Sequence, residues 1–353
     1  MKSKMSLILV VVLILSVSLS FAGKSNDAEI QHLFNNIKNF KSFEVWDNSS
    51  VQFDTVILGE NEELKYNIFS VVYEYKIIGY IITDIKTETI IEFALGESPF
   101  ENLIDRDENM GFLKIKSGFN LKKIGINNIY TDDECDYIVN NSDYANNDND
   151  NVLSANEIIE ERTIDTNFGI ESLDYYEYII SDVPDIDNTS PIFACGPVSG
   201  MNLVYYWDDN GYGNLIVSGD THSSVYTELY DDMHTLANAT DPNWYDDGLD
   251  AYFDRHNYDL PFTSDFNPTI SEFTTIKNQI DDDNPGTILF NSSSSYGAHY
   301  TTLVGYAVDE AVDEQYYIIH DLWWDTSENI YRNWDNDVYY DDVVWGYYLF
   351  DIN

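Results

Sequence analysis

Basic residues are scarce in this sequence. Its 353 residues include 17 Lys and Arg against 63 Asp and Glu, a formal net charge of −46 at pH 7. Phosphate recognition needs a basic face, so this charge argues against nucleic acid or anionic membrane as a partner. Cysteine is nearly missing: Cys135 and Cys195 are the only two, which excludes a disulfide-stapled scaffold and any four-Cys zinc site. No HExxH motif occurs, and His222 and His234 lack metal-ligand spacing, so zinc chemistry has no support. Beyond residue 22 no apolar run is long enough to span a bilayer. Aromatic residues, by contrast, are plentiful at 15%, with 28 Tyr, and apolar residues reach 44%. That supply can build a sizeable core and argues against a disordered acidic chain. The length permits about two domains of roughly 150 residues.

The first 22 residues have the pattern of a secretory signal peptide. Lys2 and Lys4 precede an apolar run from Leu7 to Leu19, and Ser20-Phe21-Ala22 sets small residues at the −3 and −1 positions of a cut after Ala22. The competing reading is a retained anchor, but the run falls short of the roughly 20 residues that a spanning helix needs. Cleavage removes both lysines and leaves a more acidic, secreted or cell-surface protein that repels acidic substrates.

The remainder reads as two folded parts and a bridge. Residues 23–135 begin with a short helical spacing, Ile30, Leu33, Phe34 and Ile37, and continue as β-rich runs at 69–75, 77–84 and 89–95. Short gaps between these runs predict an antiparallel meander. Residues 136–165 form an acidic, Asn/Asp-rich bridge with almost nothing to bury, read as an exposed linker. Within it Asn146, Asp148, Asp150 and Glu157 fall at ligand positions of a calcium loop. Position 1 is Asn, and position 6 (Asn151) lacks the usual Gly, so a calcium site and a plain polar linker both stay open. From about residue 166 the chain becomes globular again.

The residues able to carry chemistry lie in this last part. After Cys195 the spacing of Val198, Met201 and Tyr205 is helical, and Pro197 suits a first helical turn. Cys195 therefore sits at a helix N-terminus, where the dipole and free N–H groups favour a thiolate and can face an oxyanion. A thiolate nucleophile needs a base, usually histidine. Of six histidines, His299 has the most informative surroundings: it opens a predicted strand through Tyr306, after a strand at 287–290 and a polar loop. A third strand, 316–321, returns beside it and ends in Asp321, which faces the opposite way from His320. Asp321 is thereby able to hold the imidazole tautomer. The competing readings are a core thiol or a disulfide with Cys135 for Cys195, a structural role for His299, and a solvated strand end for Asp321. His320 reads as packing or surface, and Trp323-Trp324, Trp334 and Trp345 as core or cleft wall.

The pieces Cys195-Gly196-Pro197, Gly297-Ala298-His299 with Val304-Gly305-Tyr306, and His320-Asp321-Leu322-Trp323 together resemble the papain-like cysteine peptidases of the C39-like, bacteriocin-processing and related secreted type. The resemblance covers about residues 180–350. It implies an α+β fold, with a papain-like catalytic domain over 166–353 preceded by a small, mostly-β N-terminal domain. It also implies a Cys195, His299, Asp321 triad acting on a peptide or protein substrate through a thioester acyl-enzyme, with no cofactor. The family places a Gln before the Cys as an oxyanion donor. Here Asn188 occupies that place, with Thr189 and Ser190 as stand-ins, and Ala298 intervenes between Gly and His. Residues 60–105 resemble the pro-domains of some secreted papain-like peptidases, which implies a cover removed by cleavage in the exposed bridge. Two other classes stay open: an inactive papain-like binding module, and a transglutaminase-like acyl-transfer enzyme with the same triad.

Overall fold

A computed structural model describes residues 27–58, 64–96, 98, 110–114, 121–125, 128–129, 175–187, 194–236, 239–291, 296–323, 328–341 and 343–350. The signal segment, the Asn/Asp-rich bridge with its calcium pattern, Cys135, Asn188, Thr189 and Ser190 lie outside the described residues.

Helix α1 (Asp27–Ile37) and a 3-10 turn (Lys41–Trp46) lead into four antiparallel strands: β1 (Ser50–Leu58), β2 (Leu64–Tyr73), β3 (Lys76–Asp84) and β4 (Ile90–Leu95). Three short strands, β5 (Met110–Lys114), β6 (Leu121–Gly125) and β7 (Asn128–Ile129), extend this sheet beyond β1, and β5 joins it in parallel. Further on come β8 (Tyr175–Ile179) and three helices, α2 (Cys195–Asp209), α3 (His222–Asp232) and α4 (Pro242–Arg255). β9 (Phe262–Phe266) and helix α5 (Phe273–Asp281) precede β10 (Gly286–Phe290), β11 (His299–Asp309), β12 (Glu314–His320), β13 (Ile330–Asn333) and β14 (Val344–Phe350). The architecture is mixed helix and sheet. Among the described residues no helix is long and apolar enough to cross a membrane.

All these strands form one sheet of 14, because β4 of the N-terminal part pairs with β13 of the C-terminal part. The order runs β7-β6-β5-β1-β2-β3-β4-β13-β12-β11-β10-β14-β9, with β8 paired to β11. Side chains alternate across a sheet, so the join has two different faces. On one, Phe93 pairs with Tyr331, and their rings stack 5.0 Å apart. Phe43 from the 3-10 turn packs edge-on against both, and Trp46 follows beneath it. The indole of Trp46 lies so close to β3 that any side chain at Gly79 would run into it. Ser42 and Tyr331 both donate to the carboxylate of Glu177 on β8, which ties the turn to the C-terminal strands.

On the other face Glu92 pairs with Arg332. Both are buried, with Asp337 beside them. The guanidinium binds Glu92 and reaches Asp337 through Nε at 2.7 Å and Nη2 at 2.8 Å. Tyr80 donates to Glu92 at 2.7 Å and Tyr317 to Asp337 at 2.5 Å. The two carboxylates hold the guanidinium well above the usual arginine range, against a desolvation that pulls the other way. Removing one partner of such a buried set leaves the other charges uncompensated. Arg332→Leu is therefore expected to destabilise the fold by about 3–5 kcal/mol, read from the urea midpoint. A loss below about 1 kcal/mol would show that the carboxylates find other partners.

Candidate active site

Helix α2 starts at Cys195 because Ala194 is still extended (φ −78°, ψ 140°). Its backbone N–H is taken by the Tyr226 hydroxyl at 2.8 Å. The first turn is pinned to the sheet by polar contacts in a dry interior. Ser199 shares hydrogen bonds with Thr287 of β10 and with Tyr245 of α4, each at 3.1 Å. One turn on, Asn202 donates to Thr302 of β11 at 3.0 Å and accepts the Ile186 N–H at 2.9 Å. The same asparagine thus holds the helix against β11 and fixes the segment that leads toward residue 188. Gly196 permits a close approach of Thr240, which a Cβ there would strike.

Cys195 carries a free thiol, partly buried. The backbone N–H groups of Tyr300, the residue after His299, and of Gly196 and Cys195 itself favour its thiolate. The start of α2 and the start of β11 therefore meet at the sulfur. His299 is 2% exposed. Its Nε2 lies 2.7 Å from the main-chain oxygen of Asp321, just past the end of β12. A ring nitrogen facing a carbonyl oxygen must donate, so the proton sits on Nε2 and Nδ1 is left as the acceptor. Tyr296 stacks parallel to the imidazole at 6.0 Å, and Trp323 lies 5.6 Å from it.

Two details differ from the sequence reading. The orienting contact seen at His299 comes from the Asp321 carbonyl, whereas the Asp321 carboxylate accepts the Trp323 N–H at 3.0 Å. The helix N-terminus does favour a thiolate at Cys195, but burial outweighs it and pushes the thiol up. Burial likewise lowers His299 to about 4. Both shifts disfavour the charged forms.

His320, expected as packing or surface, is buried at the end of β12. Its Nδ1 donates to the Pro184 oxygen at 3.2 Å and so anchors the chain before residue 188. Burial lowers it to about 4 as well. Asp185 sits 3.8 Å from this ring. Burial, then the nearby charges of Asp187 and Glu328, raise its carboxyl to about 8. Of the tryptophans singled out, Trp334 is core, Trp323 walls the site and Trp345 is exposed. Among the described residues no cluster of His, Cys, Asp and Glu is arranged to hold a metal. A cavity of about 540 Å³ opens beside Thr240, lined by His234, Leu236, Asp241 and Trp244.

Residues 180–348 match the model of the Peptidase_C39-like family. This part of the chain is similar to that family. The match supports a peptidase of the cysteine type in general, a class whose substrates are peptides or proteins. No curated protein is significantly similar to the chain.

Two outcomes follow from the charge states. A neutral thiol alkylates slowly, so the rate of Cys195 with iodoacetamide should climb steadily from pH 6 to pH 9. A rate already flat between pH 5 and 7 would mean an ion pair. Asp185 is protonated when folded up to about pH 8 but ionised when unfolded above its ordinary 3.8. The unfolded state therefore holds fewer protons, and stability should fall as pH rises from 6.5 to 8. Asp185→Asn should abolish this decline in the urea midpoint; an equal decline in the variant would assign it elsewhere.

Proposed function

We propose that the protein is an exported cysteine peptidase that cleaves peptide bonds through a thioester acyl-enzyme. The observation that carries this reading is the hydrogen bond from His299 Nε2 to the Asp321 oxygen. It makes Nδ1 the accepting nitrogen, the one able to take the thiol proton from Cys195, whose thiolate the neighbouring Tyr300 N–H favours. The proton moves from Sγ to Nδ1 as the sulfur attacks the carbonyl carbon. The imidazolium so formed keeps its Nε2–H on a carbonyl dipole. It then gives the Nδ1 proton to the leaving amine, and the C–N bond breaks. Water, deprotonated by the same nitrogen, hydrolyses the thioester. The amides of Cys195 and Gly196, with Asn188 in the family's Gln position, are the donors assigned to the oxyanion. Asp321 acts through its backbone as the third group. The cavity at Trp244 suits an apolar or aromatic substrate side chain next to the scissile bond. Export rests on Lys2, Lys4 and the Leu7–Leu19 run.

One observation favours a second reading, a binding module without turnover: burial disfavours the charged forms of both Cys195 and His299. Incubation with a lysine-rich peptide library and a hydroxylamine or amine acceptor separates the classes. Cleavage is expected, lost by at least about a thousandfold in Cys195→Ser and in His299→Ala. No turnover with His299-independent alkylation of Cys195 would favour the binding module, and amine incorporation without cleavage an acyl transferase. Because the chain is strongly acidic, kcat/KM on cationic peptides should drop as salt screens the attraction. A rate indifferent to ionic strength would remove charge from substrate choice.

A further inference from the structure

The loop that delivers His299 has an anchor from outside the family-matched segment. Tyr296 is buried, three residues before His299. Its ring lies nearly parallel to the imidazole and also packs on Phe290 at 5.2 Å and Trp323 at 4.8 Å. Its hydroxyl donates to Glu92 Oε2 at 3.0 Å, and Glu92 belongs to β4. The second Glu92 oxygen is taken by Tyr80 of β3. The Arg332 guanidinium, held by Asp337 on its far side, binds Glu92 and lies 5.2 Å from the Tyr296 ring centroid. The carboxylate is thus fixed by three groups and cannot follow a moving tyrosine. Gly297 turns the chain with φ +68° between Tyr296 and His299, so the tyrosine is the rigid point before the turn.

We propose that Glu92 is a positioning residue for His299, acting through the Tyr296 hydroxyl, and that the N-terminal segment is a permanent part of the working catalytic unit. The proposal deepens the peptidase reading and rests on it for its kinetic consequence. It stands opposite to the removable cover that the pro-domain resemblance implies. With the N-terminal segment gone, β13 becomes an edge strand, Arg332 keeps one of its two carboxylates, and the Tyr296 hydroxyl is buried with no acceptor from Glu92.

The test uses the full chain and two mild variants. Tyr296→Phe deletes the hydroxyl and keeps the stacked ring; Glu92→Gln keeps the shape and removes the charge. Nitrogen-15 spectra of the histidine rings, with His299 assigned by His299→Ala, report its tautomer and titration without any need for turnover. In the parent, His299 should be a single Nε2–H tautomer. In folded Tyr296→Phe it should become a tautomer mixture with a titration midpoint raised toward the ordinary value. On a cleaved peptide kcat should fall about tenfold to a hundredfold with KM within about twofold. Glu92→Asp should restore part of kcat. Unchanged His299 signals in folded Tyr296→Phe would overturn the proposal. A parent that shows these signals but cleaves nothing would instead overturn the peptidase reading. A second arm inserts a specific protease site between Asn146 and Asn147. After nicking, the two fragments should co-elute and keep the parent rate. Release of the N-terminal fragment with a gain in rate would refute permanence.

Discussion

The guanidinium of Arg332 inside the sheet is the constraint on which the rest depends. A bare cation there would cost many kcal/mol in lost hydration, and only two opposed carboxylates with aligned hydrogen bonds make the position tolerable. Glu92 and Asp337 come from opposite ends of the chain, so satisfying one charge forces two distant segments together. The pairing of β4 with β13 has no freedom of register. A slip by one residue would turn Glu92 to the aromatic face and Phe93 onto the guanidinium. The network is best seen as a device for specificity: apolar residues of the same volume could be as stable, but they would not enforce one alignment.

The dryness that makes this network rigid also sets the chemistry nearby. Burial raises the thiol of Cys195 and lowers the imidazole of His299, so it disfavours the charged form of each. What the site retains is direction. Asp321 holds one ring nitrogen, the Tyr300 N–H favours the thiolate, and both come from main-chain groups that cannot rotate away. On the proposed mechanism, charge separation is confined to the moment when a carbonyl carbon takes the sulfur's electrons.

Much of this was legible in residues 175–350. Pro197 and the spacing of Val198 and Met201 marked the helix start at Cys195; the predicted strand over 316–321 ends at His320, one residue before Asp321. The meander from β2 to β4 followed from the short gaps between its runs. The join of β4 to β13 was not legible, because alternation gives a strand its faces but not its partner. A signal was present nonetheless: Glu92 is the lone charge in an otherwise apolar strand and Arg332 the lone charge in its own, and such residues are buried only when paired. Spacing also placed Asp321 near His299 without saying which of its atoms would face the ring. The thiol's direction of shift was misjudged because a helix start can be read from sequence and the depth of burial cannot.

The scarcity of cations links these points. Arg332 is spent in the core, Lys277 is bound to Asp281 and lies over Tyr306, and Arg255 bridges Glu228 and Asp232. The field outside is left negative, which suits a cationic substrate but opposes every negative charge formed during acyl transfer. A thiolate or oxyanion in such a protein has to be stabilised by something that adds no cation. Backbone amides at a helix N-terminus meet that condition, since their dipoles are fixed by the fold and act over a few ångströms, where a diffuse acidic surface is weakest against them. The amides that face the Cys195 sulfur are of this kind. The pinning of α2 through Ser199 and Asn202 therefore serves the reacting atoms directly: moving the helix start away from β11 would remove the favourable field and leave the unfavourable one.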